Sequence, residues 1–153
     1  MLKVEKSIVI NAPVEEVYAF ANDPARLPEY SVGTDEVKDV QRLPNGGYRY
    51  TTVDKFVGVR SETVNEDIEV VPNERTVTKM HSALLDATSD TRFERLEGGK
   101  TRVSVVGELT FPGGPLARLG ETFIGKYCDH GMEMTLEAAK AHIEAGIPTV
   151  ASR

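Results

Sequence analysis

The stretch PLARLGETFIGKYCDHGMEMTLEAAKAHIEAG, residues 115–146, has the pattern of one long helix and decides the architecture of the chain. Pro115 suits a first helical turn because it has no N–H to leave unpaired, and Gly146 followed by Pro148 suits a helix end. At 100° per residue the polar side chains fall on one stripe, and the other positions are mostly apolar or small. The stripe consists of Arg118, Thr122, Lys126, Asp129, Glu133, Glu137, Lys140 and Glu144.

An ordinary surface helix has a narrow apolar stripe and a wide polar face, and here the proportions are reversed. We therefore expect other parts of the chain to enclose this helix over most of its circumference. The rest of the sequence must supply a curved wall around it.

The residues before this helix predict that wall. Residues 2–10 alternate between apolar and polar side chains, as in a half-buried strand. Pro13 then opens a short helix, and Asn22-Asp23-Pro24 ends it before a second short helical turn at 24–29. Between residues 31 and 111, strand-like runs are separated by turn residues. These runs are 32–43, 48–53, 60–71, 76–81, 88–96 and 101–109.

This order predicts an α+β fold. We expect a seven-stranded antiparallel, curved sheet wrapped around a long C-terminal helix, with two short helices after strand 1. The length of 153 residues fits a single domain over residues 1–147, and residues 148–153 are predicted to form a flexible C-terminal tail.

Charge, hydrophobic runs and cysteine content indicate which partners and which compartment to expect. The net charge is −6 and the basic residues are scattered, so nucleic acid is not expected as a partner. No apolar run reaches the roughly 18–20 residues of a membrane span, so no stable membrane insertion is expected. The single cysteine, Cys128, cannot form an internal disulfide, and we expect a cytoplasmic protein.

Several segments together resemble the START/Bet v 1-like superfamily, and its polyketide cyclase/dehydrase and lipid-transport group most of all. The run from Ile10 to Phe20, followed by Asp23 and then Leu27-Pro28-Glu29-Tyr30, is similar to the N-terminal signature of this superfamily. Residues 98–103, 112–116 and 136–140 are similar to the group's penultimate hairpin, the entry to its last helix and a segment of that helix. The chain has no tryptophan, although the group usually has one near Tyr18 or Tyr30.

The resemblance implies a helix-grip fold with a hydrophobic cavity between the sheet and the last helix. It also implies a hydrophobic or amphipathic ligand, such as a lipid, polyketide, quinone or aromatic compound. A minority of the group catalyse cyclisation or dehydration. No catalytic set of a cyclase is matched here.

The candidate ligand-binding residues are apolar or aromatic side chains that we expect to face this cavity, together with hydroxyl groups that could orient a polar end of the ligand. They are Tyr48, Tyr50, Thr52, Met80, Phe93, Val105, Leu109, Phe111, Leu119, Phe123 and Tyr127. The segment 53–60 carries Phe56 and Val57 beside Gly58. It is either an ordinary hairpin tip or a lid over the cavity mouth.

Candidates for proton transfer are Asp54, His81 and His130, since a carboxylate or imidazole in an apolar cavity could act as a general acid or base. For each of them a solvated surface role is the alternative. The sequence has no phosphate-binding glycine motif, no cysteine pair and no histidine pair at ligand spacing, so we expect no metal and no cofactor.

Three functions remain open from the sequence. The first is binding of a hydrophobic small molecule. The second is a cyclase- or dehydratase-like enzyme that uses acid/base residues in the cavity. The third is a protein-interaction module of the quinone-chaperone or translation-associated type, for which an exposed apolar patch would be expected.

Overall fold

The computed structural model describes residues 2–111 and 120–146, and the elements within these ranges match the predicted fold class. The strands are β1 (Leu2–Ile10), β2 (Thr34–Arg42), β3 (Tyr48–Phe56), β4 (Val59–Val71), β5 (Arg75–His81), β6 (Asp86–Leu96) and β7 (Lys100–Thr110). The helices are α1 (Val14–Ala21), α2 (Leu27–Tyr30) and α3 (Glu121–Ala145), with a 3₁₀ turn at Pro24–Arg26. The expected helix start at Pro115 and the expected tail at 148–153 lie outside the described residues.

The seven strands form one antiparallel sheet in the order β1-β7-β6-β5-β4-β3-β2. Consecutive strands from β2 to β7 are joined as hairpins, and β1 adds to the outer side of β7, so β1 and β2 are the two edges. The pairing of β4 with β5 shifts between Asp67 and Glu69, and that of β2 with β3 shifts between Lys38 and Gln41. Such bulges increase strand bending and twist, which helps the sheet to curve.

The short helices form where the turn chemistry places them. Helix α1 follows Pro13 and carries Glu15 and Glu16 in its first turn, where negative charge favours the positive end of the helix dipole. It ends at Asn22, whose side-chain amide donates to the Tyr18 carbonyl at 2.9 Å. The next turn begins at Asp23, whose carboxylate accepts a hydrogen bond from the Ala25 N–H.

The hydrophobic core lies at one end of the fold rather than under the whole length of α3. It joins α1, the C-terminal half of α3 and the strands β1, β6 and β7. Its buried members are Ile10, Ala12, Val14, Val17, Phe20, Phe93, Val103, Leu136, Ala139 and Ile143. The other half of α3 therefore extends beyond this core.

The expectation that α3 would be enclosed over most of its circumference was wrong. Its fully buried residues within Glu121–Ala145 are Ile124, Leu136, Ala139 and Ile143. Phe123 and Met134, both expected to be covered, are 50% and 43% exposed. The physical reason is that the sheet contacts α3 mainly through the edge strand β1, so the middle strands leave the opposite side of the helix uncovered.

The polar stripe of α3 faces the edge of β1, not only solvent. The Lys6 ammonium lies 3.0 Å from the Asp129 carboxylate, and the Lys140 ammonium donates to the Val9 carbonyl at 2.8 Å. The Asn11 N–H, just beyond β1, donates to the Glu144 carboxylate at 2.9 Å. An edge strand presents unpaired backbone groups, and the stripe supplies partners for some of them.

Thr101 provides a test of how much one buried hydrogen bond beside the hydrophobic core contributes to stability. Its side chain is fully buried, and its hydroxyl donates to the Ala12 carbonyl at 2.8 Å. We expect Thr101→Val, which keeps the shape but leaves that carbonyl without its partner, to lower the free energy of unfolding by about 1–3 kcal/mol. Urea denaturation measures the change. The matched control is Thr110→Val, an exposed position on the same strand, which should change stability by less than about 0.5 kcal/mol.

Candidate functional site

A cavity of about 570 Å³ lies between the concave face of the sheet and helix α3. This volume is within the range of roughly 300–1,000 Å³ that is typical of small-molecule sites. The cavity begins where the hydrophobic core ends and extends towards the tip of the β3–β4 hairpin. We take this cavity as the candidate functional site in the described part of the chain.

The side of the cavity formed by α3 is mainly apolar, and we call it the roof. It includes Met132, Met134 and Leu136, together with Tyr127 and Cys128. Methionine side chains adapt to ligands of different shape. Burial raises the pKa of the Cys128 thiol to about 11, so this side chain is neutral at pH 7 and acts as a small apolar group.

The sheet side has two different parts. Strands β1, β6 and β7 contribute an apolar wall that includes Val4, Phe93, Val105 and Leu109. Strands β3 to β6 contribute a second surface that we call the floor, on which hydroxyl, amide and carboxylate side chains predominate. The polar floor residues are Tyr50, Thr52, Asp54, Ser61, Thr63, Asn65, Asp67, Thr76, Thr78, Ser89 and Thr91.

A hydrogen-bonded chain fixes the polar groups at the outer part of the floor. The Asn65 amide, on a residue only 5% exposed, donates to the Thr52 hydroxyl at 3.1 Å. The Thr52 hydroxyl then donates to one oxygen of Asp54 at 2.7 Å, and the Thr34 hydroxyl donates to its other oxygen at 3.0 Å. Two hydroxyl donors therefore hold the Asp54 carboxylate in place at the edge of the cavity.

Asp67 is the other carboxylate of the floor, and it lies at the inner part. One of its oxygens accepts from the Thr78 hydroxyl and the other from the Tyr48 N–H, both at 2.8 Å. The residue is 5% exposed, and desolvation raises its pKa above the usual aspartate value although these two hydrogen bonds act in the opposite direction. An acidic group is thus held in a largely dehydrated position on the cavity surface.

Two tyrosines complete the polar side of the cavity. Burial raises the pKa of both Tyr30 and Tyr50 well above the ordinary value, so both phenols are neutral. The Tyr30 hydroxyl donates to the Ala21 carbonyl at 3.4 Å. Tyr50 lies on the cavity surface, where its hydroxyl can donate to or accept from a ligand.

The tip of the β3–β4 hairpin borders the cavity, and we call this region the mouth. The ring of Phe56 packs edge-on against Tyr127 with centroids 5.2 Å apart, and it also lies 6.4 Å from Phe111. The N–H of Val57 donates to the Tyr127 hydroxyl at 3.0 Å. Val57 has a φ of 50°, which is strained for a β-branched residue. The hairpin tip therefore reaches across to α3, where one aromatic contact and one hydrogen bond hold it, and Phe56 also contacts Phe111 just after the end of β7.

Most of the residues selected from the sequence lie on the cavity surface. These are Tyr50, Thr52, Asp54, Met80, Phe93, Val105, Leu109, Tyr127 and His130. Their role in binding or catalysis stays a prediction.

The other selected residues lie elsewhere. Tyr48 lies under the Arg42 guanidinium and accepts a hydrogen bond from it, outside the lining. His81 is exposed and pairs with Asp86. Phe123 is half exposed and also outside the lining, and Phe111 contacts the mouth through Phe56. Leu119 lies outside the described residues.

Two parts of the cavity surface were not predicted from the sequence. One is much of the polar floor, and the other is a short wall formed by the segment between β1 and β2. Asn65, Asp67 and Thr78 were not selected, because the inward positions of β4 and β5 are largely polar and look like a solvent-facing side. The missed wall consists of Val17, Ala21, Asn22, Pro24, Leu27 and Tyr30. The signal that could have found the floor is the run Ser61, Thr63, Asn65, Asp67, which puts small polar residues at every second position of one strand.

No group of three His, Cys, Asp or Glu side chains comes together as a metal site within the described ranges. Among the same residues, no helix is both long and apolar enough to cross a membrane.

The fold is a helix-grip, with a cavity between the curved sheet and α3. Residues 1–144 match the model of the family described as polyketide cyclase/dehydrase and lipid transport. The chain belongs to this family. A search of curated proteins finds no match.

Solved structures show the same fold at low sequence identity. A START superfamily protein from Mycobacterium smegmatis has a TM-score of 0.77 and 14% identity, and the match covers 94% of this chain and 97% of that one. The Zhui aromatase/cyclase from Streptomyces sp. R1128 has a TM-score of 0.78 and 12% identity, with 99% and 98% covered. A protein from Thermus thermophilus has a TM-score of 0.76 and 21% identity, with 95% and 99% covered.

The contact at the mouth can be tested without a ligand. We expect Tyr127→Phe to speed the amide hydrogen exchange of Val57 about fivefold, the ratio that corresponds to about 1 kcal/mol for one lost hydrogen bond. Exchange measured by NMR gives this rate. Tyr48→Phe is the matched control, because its hydroxyl bonds Arg42 and not the hairpin tip. An unchanged Val57 rate in Tyr127→Phe would show that the tip is not held by this hydroxyl.

The buried Asp67 and the partly exposed Asp90 should have opposite effects on the stability of the fold at pH 7. The pKa of Asp67 is raised, so its charge disfavours the folded state above the usual aspartate pKa, whereas the pKa of Asp90 is lowered because Arg75 donates to both of its oxygens. At pH 7, Asp67→Asn should therefore raise the melting temperature, and Asp90→Asn should lower it.

Both differences from the wild type should shrink as the pH falls. The Asp67 difference closes as the pH falls through the raised pKa towards the ordinary aspartate value, and the Asp90 difference closes as the pH falls from that value through the lowered pKa. Thermal melts from pH 7 to pH 3 test both signs. A loss of stability in Asp67→Asn equal to that in Asp90→Asn would contradict the assignment of Asp67 as a desolvated carboxylate.

Proposed function

We propose that this chain binds one amphipathic small molecule, of lipid, polyketide, quinone or aromatic type, between the sheet and α3. The observation that carries the proposal is the cavity of about 570 Å³ with an apolar roof and a polar floor. Burial of apolar ligand surface against the roof supplies affinity, and the floor fixes orientation through hydrogen bonds. The family description and the aromatase/cyclase among the structural neighbours support this ligand class.

The arrangement of the floor favours a ligand with several oxygen or nitrogen atoms over a hydrocarbon without polar groups. Hydroxyl side chains from four neighbouring strands face the same space. Those of Thr52, Thr76 and Thr78 already donate within the protein, but a ligand without polar atoms would leave the others without partners. Such unmet groups cost about 1–3 kcal/mol each when water is displaced. A ligand with matching groups along one face avoids that cost.

The second candidate function is cyclisation or dehydration of a bound polyketide or aromatic compound. It is favoured by the presence of Asp54 and His130 on the surface of one cavity, where a carboxylate and an imidazole could exchange protons with the same ligand. His81 cannot take part, because it lies in solvent with Asp86. Binding without turnover needs fewer assumptions and is the leading proposal.

Reduction of the cavity volume tests the binding proposal. Ala87 lies on β6 and faces the cavity, so Ala87→Phe would place a ring in the space for the ligand. With the neutral dye Nile red as the probe, we expect Ala87→Phe to weaken binding at least tenfold, measured by fluorescence titration. Ala141→Phe is the matched control, since Ala141 is an exposed residue of α3 outside the lining and should leave binding unchanged.

Native mass spectrometry of protein purified without detergent complements the titration. A stoichiometric adduct of one mass, released by denaturing extraction, would identify the class of the natural ligand. Absence of Nile red binding to the wild type, or equal binding by Ala87→Phe, would overturn the proposed cavity function.

A further inference from the structure

The charges on the cavity surface are unequally distributed. Among the described residues, the lining contains the carboxylates of Asp54 and Asp67, and its basic residues are Lys55 and His130. Lys55 and His130 are both exposed, so solvent screens their charge, whereas Asp67 is 5% exposed. The alternation of β3 also directs the Lys55 side chain away from the face that carries Asp54 and Phe56.

The two carboxylates lie at opposite ends of the floor. Asp54 is six residues along β3 from Tyr48, whose N–H binds Asp67, so the backbone positions of the two contacts are roughly 20 Å apart along the strand at about 3.3 Å per residue. A ligand long enough to fill the cavity is therefore close to one of them whichever end carries its polar group. The same negative field acts at both ends.

Each carboxylate can accept further hydrogen bonds. An ionised carboxylate has about four acceptor positions, and protein donors occupy two at Asp54 and two at Asp67. The positions that remain are acceptors, so they suit ligand groups that carry a hydrogen. A ligand carboxylate or phosphate would bring a second negative charge and no proton.

We propose that this cavity selects its ligand by the sign of the polar groups, taking apolar molecules that carry hydroxyl or ammonium groups and excluding those with a carboxylate or phosphate. This inference rests on the proposed binding function and specifies its ligand class. Two negative charges about 6 Å apart at an effective dielectric constant of 20 repel by an amount that corresponds to about a hundredfold in affinity. Free fatty acids and anionic phospholipid headgroups are thereby disfavoured.

Three naphthalene compounds that differ only in the polar group test the inference. They are 2-naphthoate, 2-naphthalenemethanol and 2-naphthylmethylamine, each measured at pH 7 by displacement of Nile red. We expect 2-naphthoate to bind at least tenfold more weakly than the alcohol, and the amine to bind more tightly than the naphthoate. Any apolar cavity disfavours a carboxylate to some degree. Variants without the two aspartates are therefore needed to show that their charge causes the preference.

The decisive comparison is the double variant Asp54→Asn with Asp67→Asn. Asparagine can keep both contacts at each position, because the threonine hydroxyls rotate to accept from its amide and its oxygen still accepts the Tyr48 N–H. We expect the preference for the alcohol over naphthoate to fall to less than threefold. Asp35→Asn is the matched control, since it removes one exposed charge outside the lining and should keep the full preference.

The outcomes separate the two proposals. If Nile red binds but naphthoate competes within threefold of the alcohol, or if the double variant keeps the wild-type preference, charge selection is overturned and the binding function stands. If Nile red does not bind the wild type, both proposals fall. Thermal melts of the double variant, and each single variant measured alone, show whether a change in preference comes from the missing charges or from loss of the fold.

Discussion

The attachment of helix α3 along one edge of the sheet is the constraint on which the cavity depends. Its polar stripe contacts β1 through Lys6 and Asp129 and through Lys140 and the Val9 carbonyl, and its C-terminal half packs into the core beside α1. A helix held in this way covers the edge strand and not the centre of the curved sheet. Apart from Phe93, which packs into the core, the inner faces of β3 to β6 are left without a packing partner, and that space is the cavity.

The fold could be predicted because its signals are local. Alternation over residues 2–10, proline and glycine at the turns, and the long helical period in residues 115–146 each depend on near neighbours in the chain. The burial of α3 could not be predicted in the same way. A polar stripe has the same sequence pattern whether it faces water or the free edge of a strand, and only the assembled sheet shows which of the two applies.

Only the apolar part of the candidate site could be predicted from the sequence. Hydrophobic patterns identify surfaces that pack against apolar partners, so they indicated Phe93, Val105 and Leu109 on the apolar wall. The floor packs against nothing in the protein, and its side chains are as polar as those of a solvent-facing strand. The bulge after Asp67 also breaks the alternation of β4. The side of the sheet that the neighbouring side chains face therefore cannot be obtained by counting every second residue.

Under the proposed binding function, the apolar roof and the polar floor would control two different properties, the affinity for a ligand and the preference among ligands. Substitutions on α3 change mainly the apolar area that a ligand buries, and hence the affinity for all ligands of similar size. Substitutions on β3 to β5 change which polar groups a ligand must carry, and hence the preference among ligands. Because the floor belongs to a continuous hydrogen-bonded sheet, its donors and acceptors are held more rigidly than those on a loop would be. Under the proposed binding function, the strand residues are therefore the part of the chain that sets ligand specificity.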